Sequence, residues 1–311
     1  MSGPPPRAAV VVGTRGSTLA LAQTRRVCEL LEAARPGVSC EVRSIVTQGD
    51  RTQASGEPLP AIGGKGLFTA ELELALRSGE IDLAVHSLKD LPTDAVDGVT
   101  IGAVCLREDV RDCLVSREGG VLRELPAGSI VGTSSLRRAA QLLALRPDLV
   151  VASIRGNVET RIRKVREGEV DATLLAAAGL DRLGLLEEAS EVLPADVLLP
   201  APGQGALAVQ ARAGDGATLE LLAAIDDADA SAATAAERAF LRALGAGCTG
   251  PVAAHAQFAD DRVHLEGLVA STDGKQVVRV SAQGAPEAVG ERAAREALDA
   301  GAGSILAAIR G

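Results

Sequence analysis

Along the first hundred residues the apolar positions alternate between two spacings. Ala8 to Val12 is a short continuous apolar run of the kind a buried strand carries. Thr14 or Ser17 can cap the helix that follows, because Leu19 to Ala34 carries apolar residues at helical spacing. Val38 to Val46 reads as a second strand. Thr47 to Gly66 is polar and rich in Gly and Pro, which predicts a long mobile loop. Leu67 to Arg77 predicts an amphipathic helix with Phe68, Leu72, Ala75 and Leu76 on one face, and Ile81 to Val85 predicts another strand. This βαβαβ alternation implies an open sheet with helices on its faces.

The same grammar then recurs. Val12-Gly13-Thr14 is echoed by Val131-Gly132-Thr133, and Gly79-Glu80-Ile81-Asp82 by Gly168-Glu169-Val170-Asp171. Gly79 lies 67 positions after Val12 and Gly168 37 positions after Val131, a difference made mostly by the Thr47–Gly66 loop. Two topologically similar α/β domains facing each other are expected, the plan of two-lobed ligand-binding proteins. Leu198 to Ala211, with Pro200, Pro202, Gly203 and Gly205, fits a crossover back to the first lobe. Asp226 to Leu244 predicts a helix, and Val252–Phe258, Val263–Ala270 and Gln276–Ser281 alternate like antiparallel strands. Glu287 to Ile309 predicts a terminal helix. The expected division is lobe 1 over residues 1–105 and 200–221, lobe 2 over 106–199, and a small α+β domain over 222–311.

Composition narrows the function classes. The 311 residues include three Phe, no Trp and no Tyr, and the net charge is −9. A nucleic-acid binder needs aromatic platforms or a basic surface, and this chain offers neither. No run reaches the roughly 18–20 apolar residues of a membrane span. The Pro-rich start, Met1 to Arg7, lacks an apolar signal-peptide core, so a cytoplasmic protein without membrane or nucleic-acid partners is expected. The 28 arginines against four lysines match what GC-rich coding produces and do not by themselves imply binding. Five cysteines at irregular spacing form no CxxC pair; Cys28, Cys40, Cys105 and Cys113 read as small buried hydrophobes. Cys248, in the Gly-rich loop Gly245 to Pro251, is the one candidate for a reactive thiol.

Candidate chemistry gathers at strand ends. Thr133-Ser134-Ser135-Leu136-Arg137-Arg138 puts hydroxyls and free N–H groups at a helix N-terminus, an anion site by geometry and dipole. Two arginines in a first turn oppose the dipole and need a compensating anion, unless they are simply solvated. Residues 133–166 hold eight basic side chains against two acids, a local balance of +6. Arg155 follows the predicted strand Val150–Ile154, at the edge where open α/β folds bind ligands. Arginine forks grip carboxylates or phosphates, so the expected ligand is a polyanion. Arg15 and Ser17 occupy the equivalent edge of the first lobe. His86-Ser87-Leu88-Lys89-Asp90 follows another strand; Lys89-Asp90 is either a surface ion pair or a site, and neighbouring cations would keep Asp90 ionised. His86, with only His255 and His264 besides, makes no metal cluster and reads as structural. Gly63-Gly64-Lys65-Gly66 lacks the rest of a phosphate-loop motif and fits a flexible lid, and Gly203-Gln204-Gly205 reads as a turn.

In combination these segments resemble the porphobilinogen deaminase family. The residues that carry the resemblance are TRGSTLALAQ at 14–23, GGKGLFTAELE at 63–73, VHSLKDLP at 85–92, GTSSLRRAAQ at 132–141, IRGNVETR at 154–161, AAGLDRLG at 177–184, PAPGQGAL at 200–207 and AGC at 246–248. The resemblance implies two periplasmic-binding-protein-like α/β lobes plus the small C-terminal domain, and a monomer. It implies a dipyrromethane cofactor joined to Cys248 by a thioether and acting as a primer. Four porphobilinogen molecules would condense on it with loss of ammonia, and hydrolysis would release hydroxymethylbilane. By the same match Asp90 would be catalytic, holding pyrrole N–H groups and the positive charge of the azafulvene. Lys89, Thr133, Ser134, Ser135, Arg137 and Arg138 would hold the cofactor. Arg15, Ser17, Gln23, Ser87, Arg155, Arg161 and Arg182 would hold substrate or the elongating chain, and Lys65 and Phe68 would belong to a lid. No metal is implied. The chain departs from the family pattern at Ala61, where a basic residue is frequent, at Thr249-Gly250 after the cysteine, and at Thr18 in place of a frequent proline.

Two rivals come from the residues. A two-lobed solute-binding protein for a polycarboxylate anion would explain the duplicated lobes, but it predicts a secretory leader and gives no reason for the Cys248 domain. A Schiff-base enzyme using Lys89 would need a lowered lysine pKa, which neighbouring Asp90 opposes.

Overall fold

The computed structural model describes residues 9–55, 66, 68–247 and 250–310. The chain divides into two compact units, residues 1–107 with 206–231 and residues 108–205 with 232–311.

The first unit begins with β1 (Ala9–Thr14), α1 (Thr18–Ala34), β2 (Ser39–Ser44), α2 (Gln48–Ser55), α3 (Ala70–Ser78), β3 (Leu83–Ser87) and β4 (Val99–Cys105). Ser17 rather than Thr14 caps α1, its Oγ accepting from Ala20 N at 3.2 Å. Val27, Cys28 and Leu31 of α1 recur at helical spacing and bury against Val10, Val12, Leu83 and Val85 of the strands. Helix α2 corrects the sequence expectation, since residues 48–55 are helical where polar composition predicts loop. Its first turn is held by Asp50, whose Oδ2 accepts from Thr47 N at 3.2 Å and Thr47 Oγ1 at 2.7 Å. A local cap of this kind leaves no apolar periodicity to detect. Residues 56–65 of the predicted loop lie outside the described residues. Helix α3 starts at Ala70 instead of Leu67, so Phe68 precedes it.

The second unit contains β5 (Asp112–Ser116), β6 (Ile130–Gly132), α4 (Leu136–Leu145), β7 (Val150–Ala152), α5 (Val158–Arg166), β8 (Ala172–Ala176), α6 (Ala177–Arg182) and β9 (Glu191–Leu193). Its sheet runs β7-β6-β8-β5-β9, with β5 antiparallel to both neighbours. The Pro/Gly-rich segment then carries the chain back to the first unit as β10 (Leu207–Arg212) and α7 (Gly216–Ala223). Strand β10 enters antiparallel between β3 and β4, giving the order β2-β1-β3-β10-β4. Both sheets therefore have one topology, each with a reversed fourth strand taken from the far side of the crossover.

The sequence echo marks this duplication. Val12 and Gly13 pair with Leu83 and Ala84, and Val131 and Gly132 pair with Ala172 and Thr173. The aspartates of the two G-E-[I/V]-D motifs repeat a tie between strands: Asp82 accepts from Val11 N at 3.1 Å and Asp171 from Ile130 N at 2.8 Å. Each also receives an arginine, Arg212 at 2.9 Å and Arg117 at 3.2 Å. The motif glycines Gly79 and Gly168 end α3 and α5 at φ 77° and 79°, a left-handed conformation that suits a residue without Cβ.

The remaining elements are α8 (Ala228–Leu244), β11 (Val252–Ala259), β12 (Arg262–Ala270), β13 (Val277–Gly284), α9 (Pro286–Ala297) and α10 (Gly303–Arg310). Strands β11, β12 and β13 form an antiparallel sheet in that order. Phe240 of α8 is fully buried in this core, against the bare backbone of Gly267, where a Cβ would come within 2.5 Å of the ring. The predicted single terminal helix is broken, because Gly301 at φ 101° interrupts it between α9 and α10.

Candidate active site

In the first unit the carboxyl ends of β1 and β3 and the start of α1 form one pocket. Its lining includes Arg15, Ser17, Gln23, Phe68, Thr69, His86, Ser87 and Asp90. Six residues expected from the sequence, Arg15, Ser17, Gln23, Phe68, Ser87 and Asp90, are thus brought together by the fold. Gln23 is buried and its Nε2 donates to Ser87 Oγ at 2.9 Å. Asp90 is exposed at the end of the single turn Leu88–Asp90, which hangs from the sheet by a bond from Leu88 N to Ala206 O at 3.0 Å. Lys89 is half-buried on the same turn.

Asp50, which no motif singled out, adjoins the pocket through Arg15. Its Oδ1 accepts from Arg15 Nε at 3.1 Å and Nη2 at 2.5 Å, and the guanidinium lies over the Phe68 ring at 4.1 Å. Burial pushes the Asp50 carboxyl upward, but Arg15 and Thr47 overcome it and hold the group below its usual range. His86 is buried at the pocket floor. Loss of hydration pushes it down to about 4, with Arg15 adding to the shift and Gln210 opposing it, so the imidazole is neutral near pH 7.

In the second unit Thr133, Ser134 and Ser135 form the β6–α4 turn, and Arg137 and Arg138 lie in the first turn of α4. Ser135 caps α4, its Oγ accepting from Arg138 N at 3.4 Å, and Thr133 Oγ1 accepts from Ser135 N at 3.2 Å. Ser134 Oγ meets Ser153 Oγ at 2.9 Å and donates to Ile154 O at 2.7 Å. The arginines are not solvated: Arg137 and Arg138 are 5% and 8% exposed. The compensating anion is internal. Asp112, fully buried, lies 2.8 Å from Arg137 Nη1 and 2.6 Å from Arg138 Nη2. Burial raises the Asp112 carboxyl, yet the two guanidiniums win and hold it far below the usual carboxylate range. Gln204 Nε2 adds a bond to Asp112 Oδ1 at 3.0 Å, so this residue of the predicted turn also belongs to the cluster.

The other arginines divide. Arg155 and Arg161 are half-buried beside Gly156, whose carbonyl accepts from Arg161 Nε at 2.8 Å. Arg182 is 3% exposed and engaged inside the fold, with Glu108 at 2.7 Å and Gly205 O at 2.5 Å. The +6 balance of residues 133–166 also shrinks in three dimensions, because Asp112, Glu167, Glu169 and Glu188 from outside that window fold onto it. Cys248 and Lys65, and with them Ala61 and Thr249, lie outside the described residues. Among the described residues no cluster of metal-ligating side chains occurs, and no helix is long and apolar enough to cross a membrane.

The chain is thus a two-lobed α/β protein with hydroxyls, amide N–H groups and guanidiniums gathered at the carboxyl ends of its parallel strands. Residues 10–220 match the family model described as porphobilinogen deaminase, dipyromethane cofactor binding domain, and residues 231–299 match the porphobilinogen deaminase C-terminal domain. The porphobilinogen deaminase of Desulforudis audaxviator is 54% identical over 98% of this chain and 99% of its own length. That of Roseiflexus castenholzii is 50% identical over 97% and 99%. Among solved structures, the methionine binding protein MetQ aligns with 70% of this chain and 90% of its own at 11% identity and a TM-score of 0.44. The chain belongs to the porphobilinogen deaminase family. It is a transferase of tetrapyrrole biosynthesis with a dipyrromethane cofactor.

The donor set fits that cofactor, whose substituents are carboxylates. Among the described residues Arg137 Nε and Nη2 meet no protein acceptor, while its Nη1 is fixed by Leu199 O at 2.7 Å. A guanidinium held at one nitrogen with two sides unused is suited to a carboxylate fork.

Proposed function

We propose that this chain condenses four porphobilinogen molecules per turnover with loss of ammonia and releases them by hydrolysis as hydroxymethylbilane. The observation that supports this most is the pocket in which Asp90 accompanies Arg15, Ser17, Gln23 and Ser87. Porphobilinogen brings an acetate, a propionate, a pyrrole N–H and an aminomethyl group. Arg15 and Ser17 donate to its carboxylates, and Gln23 orients Ser87 for the same purpose. Asp90, exposed at the pocket edge, accepts the pyrrole N–H and stabilises the positive charge that develops as ammonia departs. When bound through Cys248, the dipyrromethane supplies the nucleophilic pyrrole carbon. Thr133, Ser134, Ser135, Arg137, Arg138 and Lys89 hold its carboxylates, Arg155, Arg161 and Arg182 serve the lengthening chain, and Lys65 and Phe68 are assigned to a lid. The same reading makes the protein a cytoplasmic monomer with porphobilinogen as its small-molecule partner. Its domains follow the division at 1–105 with 200–221, 106–199 and 222–311.

The mass of the denatured protein tests the primer. An excess of two linked pyrroles over the sequence mass is expected, and it should vanish in Cys248→Ala. An unmodified protein that still turns over would refute the reading. A solution mass of two chains would correct the monomer assignment.

A further inference from the structure

The buried cluster of the second unit holds two adjacent arginines whose donors are not used alike. All three Arg138 nitrogens are engaged: Nε and Nη2 with Asp112 Oδ1 at 3.2 and 2.6 Å, and Nη1 with Leu174 O at 2.9 Å. Among the described residues Arg137 engages only Nη1, with Leu199 O at 2.7 Å and Asp112 Oδ2 at 2.8 Å. Asp112 reaches them because β5 runs antiparallel, so its first residue comes level with Ala176, the last residue of β8. The duplication supplies an internal comparison. Ser17 caps α1 by accepting from Ala20 N, and Ser135 caps α4 by accepting from Arg138 N, so Leu19 and Ala20 correspond to Arg137 and Arg138. The first residue of β10, which corresponds to Asp112, is Leu207. The three charged residues are present together in one unit and replaced together by apolar ones in the other.

We infer that Asp112 is a positioning residue for the cofactor: it fixes both guanidiniums and cancels one of their two charges, so that the pair presents one net positive charge, and the remaining Arg137 N–H groups, to a cofactor carboxylate. This rests on the reading that the β6–α4 turn holds those carboxylates. Without Arg138, the Asp112 carboxylate cancels the whole charge of Arg137, and no net positive charge is left for the incoming ligand. Without Asp112, two guanidiniums repel each other in a buried site and lose their alignment.

The test uses full-length apoprotein from a host that makes no porphobilinogen. It is incubated with porphobilinogen, and covalent loading is followed by intact mass alongside the thermal midpoint. Asp112→Asn and Arg138→Gln should each slow loading about tenfold or more, the consequence of leaving one member of a buried pair uncompensated. The double variant, which removes both charges together, should recover to within about threefold of the parent, because the two sites couple. Arg137→Gln should fail to load and should not be restored by adding Asp112→Asn. A double variant that does not fold, or that loads no better than the worse single variant, overturns the assignment of Asp112 and Arg138. Normal loading of Arg137→Gln would instead overturn the underlying reading of the turn, so the two failures are distinguishable.

Discussion

Glu237 holds the crossover segment to the C-terminal sheet, and removing it should be costly. The side chain is fully buried; Oε2 accepts from Gly203 N and Oε1 from Ala256 N, each at 2.7 Å. Glu237→Ala leaves two buried backbone N–H groups without acceptors. At about 1–3 kcal/mol for each orphaned donor, the loss is roughly 2–6 kcal/mol. For a unit of 150–250 residues each kcal/mol moves the melting temperature by roughly 2–4 °C, so a mid-range loss of about 4 kcal/mol lowers it by about 8–16 °C. Glu237→Gln keeps one acceptor oxygen but turns an NH2 toward the second donor, so about half of that loss is expected. Calorimetry of the two variants beside the parent measures this. A shift below about 3 °C for the alanine variant would refute the reasoning, since it would mean that neither N–H depends on the carboxyl group. Because Gly203 adjoins Gln204, which donates to Asp112 at 3.0 Å, cofactor loading should slow in the same variants.

Three other outcomes are expected. His86 has its pKa pushed from 6.5 down to about 4, so between those values the unfolded chain binds more protons than the folded one. Stability should therefore fall by about 3 kcal/mol as pH drops from 6.5 to 4 and level off below, a slope that His86→Gln removes; identical urea midpoints across this range in both proteins would refute it. Asp90→Asn should lower turnover by about 100-fold or more while leaving the covalent mass increment and the melt near those of the parent, and normal turnover would remove Asp90 from its catalytic role. Gly290→Ala would place a Cβ 2.2 Å from Ala236 O and 2.8 Å from Phe240 N, backbone atoms of α8 that cannot yield as a flexible side chain would. It should cost about 1–3 kcal/mol in thermal melts, whereas Gly303→Ala, with only Leu298 Cδ2 at 3.7 Å, should be neutral or mildly stabilising.

What the sequence disclosed was periodic or repeated. The V-G-T and G-E-[I/V]-D echoes located both sheets because each motif performs a fixed local task, a strand end in one case and a helix stop with a strand tie in the other. The pocket around Asp90 was legible as separate strand-end residues, which the parallel sheet then gathers. What stayed hidden were partners supplied from a distance. Asp112 stands in an ordinary acidic stretch, and only the reversed fourth strand carries it beneath Arg137 and Arg138. Asp50 lies in a segment with no apolar period, where a local cap creates the helix. Nothing in the sequence around Arg182 announces its partners, Glu108 and the Gly205 carbonyl. The window balance of +6 misled for the same reason, since sequence windows cannot see acids that fold in from elsewhere.

The duplicated frame also accounts for two ways of holding an anion. Each unit offers a serine-capped helix start beside a strand end, so the backbone donors are equivalent and the difference lies in the arginines. In the first unit Arg15 sits on the loop ahead of the cap, partly exposed, and its counter-charge Asp50 belongs to the short polar helix α2. Such a pair can exchange its carboxylate for that of an arriving ligand at modest cost, since a partly exposed ion pair is weakly held. In the second unit the arginines lie within the helix, buried, with Asp112 fixed in the sheet. Parting that pair would leave a buried charge, which is far more expensive. On the proposed reading, a site that must accept a new porphobilinogen at each of four condensations needs the first arrangement, and a site for a cofactor that remains attached throughout needs the second.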